Sequence, residues 1–219
     1  MKIASILLIS ILLVQSGYAQ DSSYIQPNIY LSISPQYIVI NGTRVDVEKR
    51  FKESAHAILI APTFYFGVIN ENHIFQSYFK EYDLNGFGFE LGHKVYTEKN
   101  WLKDINWYQS YSITYNRLSF DYSGMDWQPL PGDPNLLVLR EKGQTLTIDQ
   151  FGLSTYMGAL IKIDKNFYTD VYFGIGAKRS FANDSSTDKF AEDDFSDGFI
   201  NYNFTGALLR AGFKIGMAF

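Results

Sequence analysis

Alternation limits this chain's fold more than any other feature. In "QFGLSTYMGALIKI", Phe151, Leu153, Met157, Ala159, Ile161 and Ile163 fall on one set of positions, and Gln150, Gly152, Ser154, Tyr156, Gly158 and Lys162 on the other. Successive side chains of a β-strand point to opposite faces of the sheet, so this period of two predicts a strand with one greasy and one polar face. "FYTDVYFGIGAK" repeats the pattern, with Val171, Phe173, Ile175 and Ala177 against Asp170, Tyr172, Gly174, Gly176 and Lys178. "GFGFELGHKV" does so again, with Phe87, Phe89, Leu91 and Val95 against Gly86, Gly88, Glu90, Gly92 and Lys94. A helix spanning a membrane needs about 20 apolar residues in succession, and no later stretch approaches that. The 16 Tyr, 18 Phe and 17 Gly suit strands and their turns better than helices.

The first residues, "MKIASILLISILLVQSGYAQ", read differently. Lys2 gives a short positive region, Ile6 to Val14 an apolar one, and Gly17-Tyr18-Ala19 a small-x-small cleavage site. Residues 1–19 are therefore expected to be a secretory signal peptide, with maturation at Gln20. Residues 20–28 then form a short periplasmic segment and residues 29–219 the folded domain. The chain has no cysteine, which excludes a lipid anchor on a new N-terminal thiol and any disulfide. The net charge of −4 becomes −5 without Lys2, so no nucleic-acid partner is expected.

Eight alternating segments lie near 29–40, 43–51, 56–69, 86–97, 106–122, 147–163, 167–181 and 204–219. Asn41-Gly42 is a two-residue hairpin signal of the type I′ kind. Lys52–Ser54 and Asp164–Asn166 are tight connections, and Thr97–Ile105 is moderate. Three connections are long, near 70–85, 123–146 and 182–203. With the N-terminus on the periplasmic side, the three long ones fall outside, the arrangement of outer-membrane barrels. The polar face carries Gly86, Gly88, Gly92, Gly152, Gly158, Gly174, Gly176, Gly212 and Gly216. Glycine weakens an exposed strand face, but inside a narrow barrel it makes room beside Tyr, Lys and Glu. The expectation is thus polar and glycine inside, apolar outside. The soluble alternative, a lipocalin-like barrel, reverses the two faces.

The tail "LLRAGFKIGMAF" puts Ala211, Phe213, Ile215, Met217 and Phe219 on one face and Arg210, Gly212, Lys214 and Gly216 on the other. With the leader and the eight strands, this ending resembles the small outer-membrane β-barrel proteins of the OmpA transmembrane-domain and OmpX type. The resemblance is one of pattern over nearly all of the mature chain. It is expected to depart from OmpA in having no C-terminal peptidoglycan-binding domain after the last strand. It implies an all-β fold, an eight-stranded antiparallel transmembrane up-and-down β-barrel. It also implies that the alternate apolar residues ending at Phe219 are a signal read by the barrel-assembly machinery.

Ten charged residues are expected to point inward as an ion-pair network: Arg44, Asp46, Glu48, Glu90, Lys94, Lys162, Asp170, Lys178, Arg210 and Lys214. Glu90 is expected to meet Arg210 or Lys94, and Asp170 to meet Lys162 or Lys214, because an unpaired charge there costs several kcal/mol. A conduit gated by partner exchange is the sharper alternative, opposed by the small cross-section of eight strands. His56 and His93 fall near the periplasmic ends. His73, with Glu71 and Ser77, is the one outer-loop trio that a lipid-modifying enzyme could use, but the spacing is no known signature. The acidic stretch "NDSSTDKFAEDDFSDG" sets Asp184, Asp188, Glu192, Asp193, Asp194 and Asp197 against Lys189. It lacks EF-hand spacing, so a solvated loop is expected rather than a Ca²⁺ site. Leu136, Leu137, Val138 and Leu139 would extend the strands above the bilayer or contact a partner. Trp127 and Tyr122 are assigned to an outer aromatic belt, Trp101 and Trp107 to an inner one. The expected role is structural or surface interaction, without enzymatic activity or cofactor. Its contacts would be outer-membrane lipids and an unidentified protein at the outer loops.

Overall fold

The computed structural model describes residues 28–52, 54–71, 80–97, 104–164, 166–184, 196–197 and 200–219. The expected leader, His73, Ser77, Trp101 and most of the acidic stretch lie outside these residues. The chain is all-β apart from one short 3₁₀ segment. Its strands are β1 (Ile29–Ile33), β2 (Gly42–Arg50), β3 (His56–Glu71), β4 (Lys80–Tyr96), β5 (Ile105–Leu130), β6 (Asp133–Lys162), β7 (Phe167–Asp184), β8 (Ser196–Asp197), β9 (Ile200–Asn201) and β10 (Gly206–Ala218). Neighbours in sequence pair antiparallel from β1 to β7, and β10 then joins β7 to β1, closing a barrel of eight strands. β8 and β9 form a separate two-stranded hairpin.

The stagger of the ring follows from its registers. From Ala207 the paired residues are Ala177, Leu153, Ile113, Leu91, Ile60, Val47 and Leu31, and the row returns to β10 at Met217. The offset from Ala207 to Met217 is ten residues; with ordinary strand spacings it corresponds to a tilt of about 40° and a radius of about 8 Å. Every residue of that row is apolar and faces outward. The other face of each strand fills the interior. There Tyr108 lies over Gly158, Tyr172 over Gly212 and Tyr168 over Gly216, so the glycines hold the space that the rings occupy.

Four expectations are corrected. First, β1 stops at Ile33, and Pro35–Ile40 is a 3₁₀ segment rather than the continuation of a strand. Pro35 has no N–H to give to a ladder, which ends the strand there. Asn41 is left-handed (φ 52°), but Gly42 is not among the positive-φ glycines, so the turn is not type I′. Second, residues 123–146 are no loop. β5 and β6 run on as one hairpin turning at Pro131-Gly132, where Gly132 takes φ 102°. Third, β4 begins at Lys80, so only 72–79 separate it from β3. Fourth, the interior is polar only in the half nearer the short turns. In the far half Tyr65, Ile69, Tyr82, Leu84, Leu118, Phe120, Tyr122, Leu146, Ile148 and Tyr202 make an apolar core. Tyr122 is therefore buried inside and belongs to no aromatic belt.

Candidate functional site

The near half of the interior is built chiefly from one strand. Alternation in "RVDVEKR" sends Arg44, Asp46, Glu48 and Arg50 inward together. Asp46 pairs with Arg44 at 2.8 Å and with Lys214 of β10 at 2.7 Å. Arg44 reaches on to Glu90 of β4 at 2.6 Å, and Glu90 holds Arg210 at 2.7 Å. The Ser34 hydroxyl donates to Asp46 at 2.7 Å, and Arg44 donates to the Tyr37 hydroxyl at 2.8 Å. A second cluster lies nearer the turns. Lys94 bridges Glu48 at 2.8 Å and Asp170 at 2.9 Å, and Arg50 approaches Glu48 at 3.3 Å. Tyr96 donates to Glu48 and Tyr108 to Asp170. Arg50 also lies between the rings of Tyr30 and Tyr96, 4.2 and 3.6 Å from their centroids.

The geometry brings eight of the ten anticipated residues into these two clusters. Glu90 meets Arg210 and not Lys94. Asp170 meets Lys94 and neither Lys162 nor Lys214. Lys162 is half-buried at the end of β6 and takes part in none of these pairs. Lys178 also stays outside them, 5.9 Å from the Phe204 ring centroid. Sequence reasoning overlooked Arg50, although it follows Glu48 by two and so shares its face. It also overlooked Tyr37, which the expected strand hid.

Above the ion pairs lies a cavity of about 230 Å³. Its walls include Tyr37 and Ile40 of the 3₁₀ segment, Lys178, and Leu208 and Arg210 of β10. Asn116 donates to Gln150 at 3.3 Å on its wall, and the Gln150 amide donates to the carbonyl of Tyr202, another wall residue. Tyr202 packs on Phe120 with ring centroids 5.4 Å apart and lines the cavity on the side of the apolar core.

Outside the ring, His56 Nδ1 and His93 Nε2 lie 3.0 Å apart with stacked rings, near the short-turn end. Beyond Tyr122 and Leu146 the β5–β6 hairpin leaves its neighbours, since the β4 ladder ends at Asp121 and the β7 ladder at Leu146. Trp127 pairs with Leu139 and Pro129 with Leu137 on one side of it, and Trp127, Leu136, Leu137 and Leu139 are about half exposed. Trp127 thus stands on the hairpin, while Trp107 faces outward at the opposite end of the ring. No group of three or more potential metal ligands occurs among the described residues. Comparison with protein-family models and with curated proteins gives no match.

Proposed function

We propose that this chain is an outer-membrane β-barrel of a diderm bacterium, with a structural or surface-interaction role rather than a catalytic one. The observation that carries this reading is that on β4, β5 and β6 the apolar residues pass from the outer face to the inner one part-way along. On β5, Ser112, Thr114 and Asn116 point in and Ile113 and Tyr115 out; then Leu118, Phe120 and Tyr122 point in and Arg117, Ser119 and Asp121 out. β6 and β4 change at matching register, where Phe87, Arg117 and Asp149 are neighbours. Apolar side chains belong outside in lipid and inside in water. The level of Arg117 and Asp149 is therefore the natural boundary between the two. On β6 the outward apolar band runs from Phe151 to Ile161, about 25 Å along the ring axis at a tilt of about 40°.

Above that boundary the β5–β6 hairpin projects, with open edges and the exposed Trp127, Leu137 and Leu139. It is the part of the molecule best placed to meet a partner. The buried ion pairs below it fill the cross-section, which favours a plug over a conduit. The test is mobility on SDS gels with and without boiling, on protein taken from the outer-membrane fraction. A barrel of this kind resists SDS when cold and shifts on heating. Recovery from the medium without detergent would refute the membrane reading.

A further inference from the structure

The ring has an incomplete seam, and the cavity lies behind it. β1 accompanies β10 only from Ile33↔Ile215 to Tyr30↔Ala218, whereas β10 continues up to Gly206. Ile29 and Phe219 exchange both backbone hydrogen bonds, so alternate residues of β10 turn their N–H and C=O to this edge. Phe213, Ala211, Leu209 and Ala207 do so with no strand alongside. On the other side, the β1–β2 ladder ends at Val45. Pro35–Ile40 occupies the gap. Ile38 and Val39 point out, 71% and 74% exposed, and Tyr37 and Ile40 point into the cavity. Two side-chain hydrogen bonds tie this segment inward, Gln36 to the Tyr172 hydroxyl at 3.0 Å and Arg44 to the Tyr37 hydroxyl. An incomplete backbone wall facing hydrocarbon is tolerated only where it borders protein or a polar cavity.

The charge of the interior points to what that cavity takes. Arg44, Arg50, Lys94, Arg210 and Lys214 already exceed the four carboxylates Asp46, Glu48, Glu90 and Asp170 by one. Lys178 adds a sixth cation, and among the described residues it forms no ion pair. It lines the cavity together with Arg210, and among the described residues no carboxylate side chain does. Ile40, Leu118 and Leu208 supply apolar wall beside these cations. Tyr202 lines the side away from the ion pairs, and the interrupted β10–β2 edge beside Ile40 and Leu208 offers a sideways approach.

We infer that this cavity binds the anionic head of a single-chain amphiphile, which enters from the lipid through the β10–β2 seam past Pro35–Ile40. The volume suits a head and a few methylenes, and the rest of the chain would lie outside along Ile38 and Val39. This rests on the membrane reading above. The experiment is calorimetric titration of the refolded protein in dodecyl maltoside with decanoate, decyl phosphate, decanol and acetate, against protein-free micelles.

One decanoate or decyl phosphate per protein is expected, and the tighter of the two identifies a carboxylate or a phosphate head as the source. Decanol and acetate should bind at least ten times more weakly. Lys178→Gln should lose about tenfold for the anions only, and Lys178→Arg should restore it. Equal uptake of decanoate and decanol, or no effect of Lys178→Gln in a variant that still shifts on heating in SDS, overturns the inference. Wild-type protein that fails to shift on heating would instead strike at the membrane reading.

Discussion

Glu90→Gln isolates what the buried charges contribute. Glu90 is 1% exposed and, among the described residues, is the only carboxylate paired with Arg210. Without its charge, Arg44 keeps Asp46, but among the described residues Arg210 keeps the Ser154 and Ser112 hydroxyls at 2.9 and 3.5 Å and the Tyr156 ring at 5.6 Å, none of them charged. Breaking a buried pair by removing one partner costs about 3–5 kcal/mol, because the remaining charge stays desolvated. With a urea slope of about 2 kcal/mol/M, the unfolding midpoint should fall by about 1.5 to 2.5 M. The assay is urea unfolding of the refolded protein in micelles, read as the heat-modifiable fraction. Arg117→Gln is the internal control. Arg117 and Asp149 are 4.0 Å apart, with side chains 55% and 33% exposed, so that loss should stay within about 1 kcal/mol. Adding Arg210→Met to Glu90→Gln removes the stranded cation and should recover most of the loss. The reasoning is refuted if Glu90→Gln costs less than about 1 kcal/mol, or if the double variant is no more stable than the single one.

Three further outcomes are expected. Gly174→Ala should prevent refolding or cost more than about 3 kcal/mol, since its methyl would meet the backbone of Thr155 and Tyr156. Gly92→Ala, whose nearest neighbour is the Leu59 side chain at 3.3 Å, should be far milder in the same unfolding assay. Replacing residues 125–141 by a short Asn-Gly turn should leave the unfolding midpoint within about 0.5 M of wild type, because no side chain described there is buried. Phe219→Ala keeps the backbone bonds between Phe219 and Ile29 and removes a side chain that is 60% exposed. Refolding in vitro should then change little while the amount in the outer membrane falls, as measured by immunoblot of fractions; equal falls in both would refute a separate assembly signal.

The strands were legible because alternation is local. Each of β2 to β7 and β10 contains its expected segment or nearly so, and the inward charges of β2, β4 and β10 follow from parity alone. The network's partners were not legible. They depend on the ten-residue stagger, which carries Glu90 to Arg210 across the interior and which only long-range pairing sets. The 3₁₀ segment was hidden differently: "PQYIVI" has the composition of a strand, and only Pro35 marks its break.

The exchange of apolar and polar faces on β4, β5 and β6, by contrast, was written in the sequence and missed. On β5 the even positions pass from Asn116 to Leu118 while the odd ones pass from Tyr115 to Arg117; on β6 the even positions pass from Gln150 to Ile148 and the odd ones from Phe151 to Asp149. Either strand alone would read as a blurred pattern. The register sets Leu118 against Ile148 and Arg117 against Asp149, so both exchanges fall at one height. A soluble barrel with an apolar interior has no reason to exchange its faces part-way along. On the proposed membrane reading, a lipid boundary at that height accounts for the exchange on β4, β5 and β6, and the buried Tyr122, expected in a belt, is part of it.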